Sequence, residues 1–308
     1  MDRQSTRPTG WADLPNDLLV RILLSLNIVD LVMGAARTCR SWRATSKDAE
    51  LWETVDLTTS KINLVRVALS PYYMINEESG NRLKLALNAA LNLSRGNMTC
   101  LIFNFYTYIK GRELISAAQR TPNLKRLVLP AWNQIDMEAF EEAVKYWKDL
   151  HSLTIPYIYR SENILSSLGT HCKNFSEMKI LSPFHLDFAK AIIAHVPNLK
   201  VLSLQCVVVY KDAVLHLLTN MKHLEVLNLT HSVVADFNPQ HGPEQNLFFQ
   251  RVNGEISERA VHLKKFILCT DELCPKCSEN TLADHSLIRW YEFGEEHWRQ
   301  DEVPSLAV

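Results

Sequence analysis

The chain has 308 residues, 47% of them apolar, with 33 Lys and Arg set against 34 Asp and Glu. That length exceeds the usual size of one compact core and calls for two domains or an elongated repeat array. The balanced charge offers no field to draw the chain onto nucleic acid or anionic lipid, and no run of about 18 apolar residues appears, so neither nucleic acid nor a membrane is an expected partner.

Residues 1–10, MDRQSTRPTG, read as a flexible N-terminus without the apolar core of a signal peptide. The expected compartment is the nucleus or cytoplasm, where the scattered cysteines stay reduced and serve as small core residues. From Leu14 to Leu26 the apolar residues Leu14, Leu18, Leu19, Ile22, Leu23 and Leu26 fall on one helical arc, with Val20 and Leu24 on a second strip. Pro15 stands where a helix tolerates it best, at the start. Two more helices follow across NIVDLVMGAAR and TCRSWRATS. Three such short helices cannot bury every apolar strip among themselves, so a partner is expected to cover the remainder.

LPNDLLVRILLSL, IVDLVMGAARTCRSWR and DAELWETVDL together resemble an F-box, the three-helix module that docks on the Skp-type adaptor of cullin-RING ubiquitin ligases. The resemblance implies an adaptor-binding face of Leu14, Pro15, Leu18, Leu19, Ile22 and Leu23. It also implies that Cys39, Arg40, Trp42 and Trp52 belong to the motif, the Cys and Trp positions mainly holding the module together.

Beyond it the chain repeats. The pattern Leu-x-x-Leu-x-Leu recurs from Met98, Leu124, Leu150, Phe175, Leu199, Leu224 and Leu263, in steps of 26, 26, 25, 24, 25 and 39 residues. Near-equal steps of this size mark leucine-rich repeats, and the insertion HSVVADFNPQHGPEQN explains the long last step. TVDLT, at residues 54–58, is expected to add a leading strand. A helix-like stretch follows each strand, so the fold class is α/β: a three-helix F-box at residues 11–53 and a short curved solenoid of about seven or eight strand-helix repeats at 54–270. Residues 271–308 are expected to cap the solenoid's open end. Alternation along each strand sends the leucines inward and places Arg126, Val128, Ser152, Thr154, Glu177, Lys179, Val201, Ser203, Gln205, Val226 and Asn228 on the concave face.

The repeats, the F-box and the tail LIRWYEFGEEHWRQDEV resemble the plant F-box/leucine-rich-repeat family over essentially the whole chain. That implies a non-catalytic substrate receptor of an SCF-type ubiquitin ligase, with a protein as substrate; the alternative is an interaction scaffold with a non-degradative role. Phosphate-binding and hydrolase strings such as GxxxxGK[ST], GxSxG and HExxH are absent. Phe105, Trp132, Tyr157 and Phe184 recur at one phase of successive repeats. They read either as a substrate-docking rim beside Arg126 and Lys179 or, as large aromatics more often do, as core residues. CTDELCPKC offers Cys269, Cys274 and Cys277, with His285 beyond, as zinc ligands. A turn of buried or free thiols is the competing reading, so no metal and no cofactor is assigned.

Overall fold

The computed structural model describes residues 10–58, 77–105, 107, 109–130, 133–156, 161–237, 247–252, 254–277 and 296–308. The strands, in chain order, are β1 (Thr54–Asp56), β2 (Cys100–Ile102), β3 (Ile109–Lys110), β4 (Arg126–Val128), β5 (Asn133–Gln134), β6 (Ser152–Ile155), β7 (Glu177–Ile180), β8 (Val201–Ser203), β9 (Val208–Tyr210), β10 (Val226–Asn228), β11 (Val233–Phe237), β12 (Leu247–Gln250) and β13 (Lys265–Ile267). Eight of them form one parallel sheet in the order β1-β2-β4-β6-β7-β8-β10-β13.

The register follows directly from the repeat. Val55, Leu101, Leu127, Leu153, Met178, Leu202, Leu227 and Phe266 sit opposite one another across the whole sheet. From Leu101 to Leu227 every member of this row is fully buried. Each faces the helices that return between strands: Gly111–Arg120, Met137–Val144, Ser161–His171, Leu186–His195 and Lys211–Asn220. These helices carry their own buried stripes, such as Leu114, Ala117 and Ala118, or Ala213, Val214, Leu217 and Leu218. One apolar core therefore runs the length of the sheet. The leading strand expected at TVDLT is β1, and it pairs with β2. The insertion contributes β11, and β12 follows directly after it; the two form an antiparallel pair that extends a small second sheet from β9.

At the N-terminal end, Pro15 precedes the helix Asn16–Leu24, and its carbonyl accepts from the Leu19 N–H at 3.0 Å. The helical segment Asp30–Thr38, π-helical over Asp30–Ala35, and the helix Arg40–Thr45 complete the module. Its tryptophans tie the loops. Trp42 Nε1 donates to the Trp11 carbonyl at 3.1 Å, and the buried Trp52 donates to the Ser46 carbonyl at 3.0 Å. Val20, Leu23, Trp52 and Val55 share the same core as the repeats, so the module is packed onto the solenoid.

Residues 296–308 do not cap an end. They cross the open face of the sheet, opposite the helices, with hydrogen bonds to residues from Thr58 to Asn228. Of the expected capping segment 271–308, residues 278–295 lie outside the described residues, and 296–308 lie across the sheet rather than over its end.

Candidate functional site

Two surfaces invite a partner: the exposed side of the helical module and the open face of the sheet. On the first helix the side facing the module is built by Leu19, Val20 and Leu23, which are 1%, 6% and 0% exposed. Leu19 and Leu23 were expected on the docking face and instead serve the core. The helix packs on one stripe only, so its lateral positions stay in solvent. Leu18 is 42% exposed, Leu24 50%, Met33 46% and Trp11 72%. Leu14 and Ile22 are half-buried beside them, and Pro15 is exposed. Several large apolar side chains left in solvent on a small module make it a candidate protein interface. Met33, Leu24 and Trp11 were not among the expected docking residues. The wide apolar arc hid which third of it the third helix would claim.

The open sheet face holds the row expected to point outward, and the tail covers it. Lys179, fully buried, pairs with Asp301 at 3.2 Å and donates to the carbonyls of Trp298 and Gln300. Burial pulls the Lys179 ammonium below its usual pKa, and the Asp301 carboxylate opposes that pull. Ser203 donates to Asp301 Oδ2 at 2.6 Å, while the Asn228 amide donates to Asp301 Oδ1 at 3.0 Å and to Glu302 Oε2 at 2.8 Å. Gln205 reaches the His297 and Gln300 carbonyls, and Arg126 donates to the Ala307 carbonyl at 2.7 Å. Arg126 and Lys179, expected to contact substrate, therefore hold the chain's own tail.

Two of the four expected rim aromatics are described, and both turn inward. Phe105 is fully buried and meets Trp298 edge-on, with centroids 5.9 Å apart. Trp298 itself is buried and donates to the Leu129 carbonyl at 3.1 Å. Phe184 is fully buried against Phe188. Neither phenylalanine is available to a substrate: both fill the core, one of them beneath the tail. Trp132 and Tyr157 lie outside the described residues, as does His285. Cys269, Cys274 and Cys277 converge at the C-terminal end of the sheet, where the fourth donor beside them is His231. Elsewhere Cys172 is a core group: it donates to the Trp147 carbonyl, and burial pushes its pKa up to about 12, whereas Cys39, Cys100 and Cys206 are half-buried.

Comparison with known proteins agrees with this architecture. The F-box-like family profile matches residues 11–58. An F-box/LRR-repeat protein of Arabidopsis thaliana is 37% identical over 306 residues, covering 99% of this chain and 98% of its own length. A putative F-box protein of the same plant is 28% identical over 345 aligned residues, covering 99% and 98%. The F-box protein SKIP19, also from Arabidopsis thaliana, is 28% identical over 225 residues, covering 72% of this chain and 69% of its own. With an F-box-type module at its N-terminus, a parallel sheet of repeats behind it and similarity along its whole length, the chain belongs to the plant F-box/leucine-rich-repeat family.

Proposed function

We propose that the protein is the substrate-receiving subunit of an SCF-type cullin-RING ubiquitin ligase acting in the nucleus or cytoplasm. The module docks on the Skp-type adaptor through Trp11, Leu14, Pro15, Leu18, Leu24 and Met33, and the solenoid holds a protein substrate. The observation that carries this reading is the set of solvent-exposed apolar side chains at residues 11–33, on a module whose other face is buried in the core it shares with the repeats. The chemistry is proximity: holding a substrate near the ubiquitin-loaded enzyme raises the effective concentration of its lysines, and this chain needs no catalytic residue.

A substrate approaching the open face meets the outer side of the tail, where Gln300, Glu302, Pro304 and Ser305 are exposed, rather than the strand row beneath. The test is made in cells with Leu18→Glu and Met33→Glu combined in the full chain. Proteins that still co-purify with this variant but whose half-lives lengthen are substrates. If every co-purifying protein turns over at its normal rate with either form, the protein does not serve as a degradative receptor.

A further inference from the structure

β10 and β13 are adjacent parallel strands, with Asn228 opposite Ile267. His231 lies three residues beyond the first and Cys269 two beyond the second, so the topology brings both to one end of the sheet. The chain after Cys269 then turns around Asp271. Its carboxylate accepts from the Leu273 N–H at 3.0 Å, its carbonyl accepts from the Cys274 N–H at 3.2 Å and from Arg251 at 2.9 Å, and the turn delivers Cys274 and Cys277 to the same spot. The Sγ atoms of Cys269, Cys274 and Cys277 and a ring nitrogen of His231 all lie within 4.8 Å of one another. His231 Nδ1 stands 3.3 Å from Cys277 Sγ and 3.5 Å from Cys274 Sγ.

We infer that His231, Cys269, Cys274 and Cys277 hold a structural zinc ion that fastens the last repeat to the root of the tail. A tetrahedron with Zn–S of about 2.3 Å and Zn–N of about 2.0–2.1 Å has edges of roughly 3.5–3.8 Å, which the His231 distances nearly meet before any metal has drawn the ligands together. Three thiolates and one imidazole suit zinc above harder cations, and four protein donors leave no open position for a substrate or a water, so the site is structural rather than catalytic. Binding exchanges three S–H bonds for three Zn–S bonds and releases three protons, leaving a complex with one net negative charge. Lys276, between the two closely spaced ligands, puts a cation beside it.

The backbone is already set for this task. His231 has φ of 58°, a left-handed conformation that costs a non-glycine residue energy unless its surroundings enforce it. They do. Thr230 N–H donates to Asn228 Oδ1 at 2.9 Å, and Ser232 donates through its hydroxyl to the Leu204 carbonyl at 2.6 Å, clamping the turn on both sides of the histidine. Cys274 and Cys277 are 7% and 6% exposed and Cys269 is half-buried, so two of the three ligand cysteines are well sheltered, while Leu273 at the tip of the turn is 87% exposed and the loop follows the ligands rather than an apolar core. From the same loop Lys276 pairs with Glu296 at 2.8 Å, the first described residue of the tail. The ion would thereby fix the point from which residues 296–308 set out across the sheet.

The test uses the full chain purified with reduced thiols and without added metal. Metal analysis is expected to find one zinc per chain, released by a mercurial thiol reagent. Replacing it with Co2+ is expected to give the intense visible bands of a tetrahedral ion together with thiolate-to-cobalt charge transfer in the near ultraviolet. Cys277→Ser and His231→Ala each lose or weaken these bands, whereas His285→Ala keeps them. Chelation lowers the thermal midpoint of the wild-type chain and leaves that of Cys277→Ser unchanged. Three results overturn the inference: a metal-free chain whose Co2+ spectrum is octahedral and lacks charge transfer, a Cys274–Cys277 disulfide in place of metal, or a cobalt spectrum abolished by His285→Ala and untouched by His231→Ala.

Discussion

Gly169 shows how closely the repeats are packed. A Cβ added there would lie 1.9 Å from the His195 carbonyl oxygen, so the helices Ser161–His171 and Leu186–His195 touch through this residue. Alanine is the better helix former by about 1 kcal/mol, but a contact this short against backbone cannot be relieved by turning a side chain. Overpacking of this kind costs about 1–3 kcal/mol, and the overlap outweighs the propensity. Gly169→Ala is therefore expected to lower the denaturant midpoint, even though alanine at an ordinary exposed helix position would raise it.

Lys179 makes the second argument at this scale. Its side chain and that of Asp301 are both 0% exposed, so the ammonium relies on Asp301 and the Trp298 and Gln300 carbonyls, and the carboxylate on Lys179, Ser203 and Asn228. Lys179→Met alone strands the carboxylate and is expected to cost about 3–5 kcal/mol. Combining it with Asp301→Leu removes both desolvated charges but also takes the acceptor from Ser203, Asn228 and the Val303 N–H, so it is expected to recover part of that loss, read as a coupling in a double-mutant cycle of urea midpoints. Additive losses would mean that the pair is not the tail's anchor.

For the strands, the repeat spacing made the inward row legible. Leu127, Leu153, Leu202 and Leu227 are all fully buried, and each change to Ala is expected to cost about 2–5 kcal/mol. What lay on the other face was not legible from the strand motifs themselves. Alternation correctly separates Val128, Thr154, Ser203 and Asn228 from the leucines, yet the tail turns these positions into buried ones as well. The tail's contacts with the sheet are separated by 73 to 241 residues in the chain, beyond anything a local period can carry. The matching chemistry was nevertheless present in both segments: a lysine, a serine and an asparagine at one phase of successive strands, and paired acids at Asp301 and Glu302.

The two halves of this row should respond differently. Asn228→Ala deprives both tail acids of a donor and is expected to cost about 1.5–3 kcal/mol. Thr154→Val is expected to be neutral or slightly stabilising, because the Thr154 hydroxyl is buried without a hydrogen-bond partner. Denaturant midpoints of the two variants compare them directly. The aromatic phase was ambiguous in the sequence for a similar reason: Phe105 and Phe184 occupy the recurring post-strand position, but periodicity does not say whether a ring turns in or out.

Over the whole molecule the parts divide the work. The helical module spends one stripe of its first helix on the core it shares with the solenoid and keeps other apolar side chains in solvent. The sheet supplies a frame, and the tail covers its open face, so the surface exposed on that side is set by the tail and the edges of the repeats. The F-box was legible because its spacing, its Leu-Pro start and its tryptophans are contiguous in the chain. Which leucines of the first helix dock and which are buried was not, because that depends on the crossing of the third helix.

The central claim is that the exposed apolar side chains, and not the buried leucines, receive the adaptor. It is tested most directly by titrating purified Skp-type adaptor against the full chain and against the Leu18→Glu/Met33→Glu variant, with thermal midpoints measured alongside. Both residues are more than two-fifths exposed, so the variant should fold normally. Loss of two interface anchors is expected to weaken binding by at least about 100-fold at an unchanged midpoint. Adaptor affinity within about 2-fold of the wild type, in a variant that melts at the same temperature, would contradict the account.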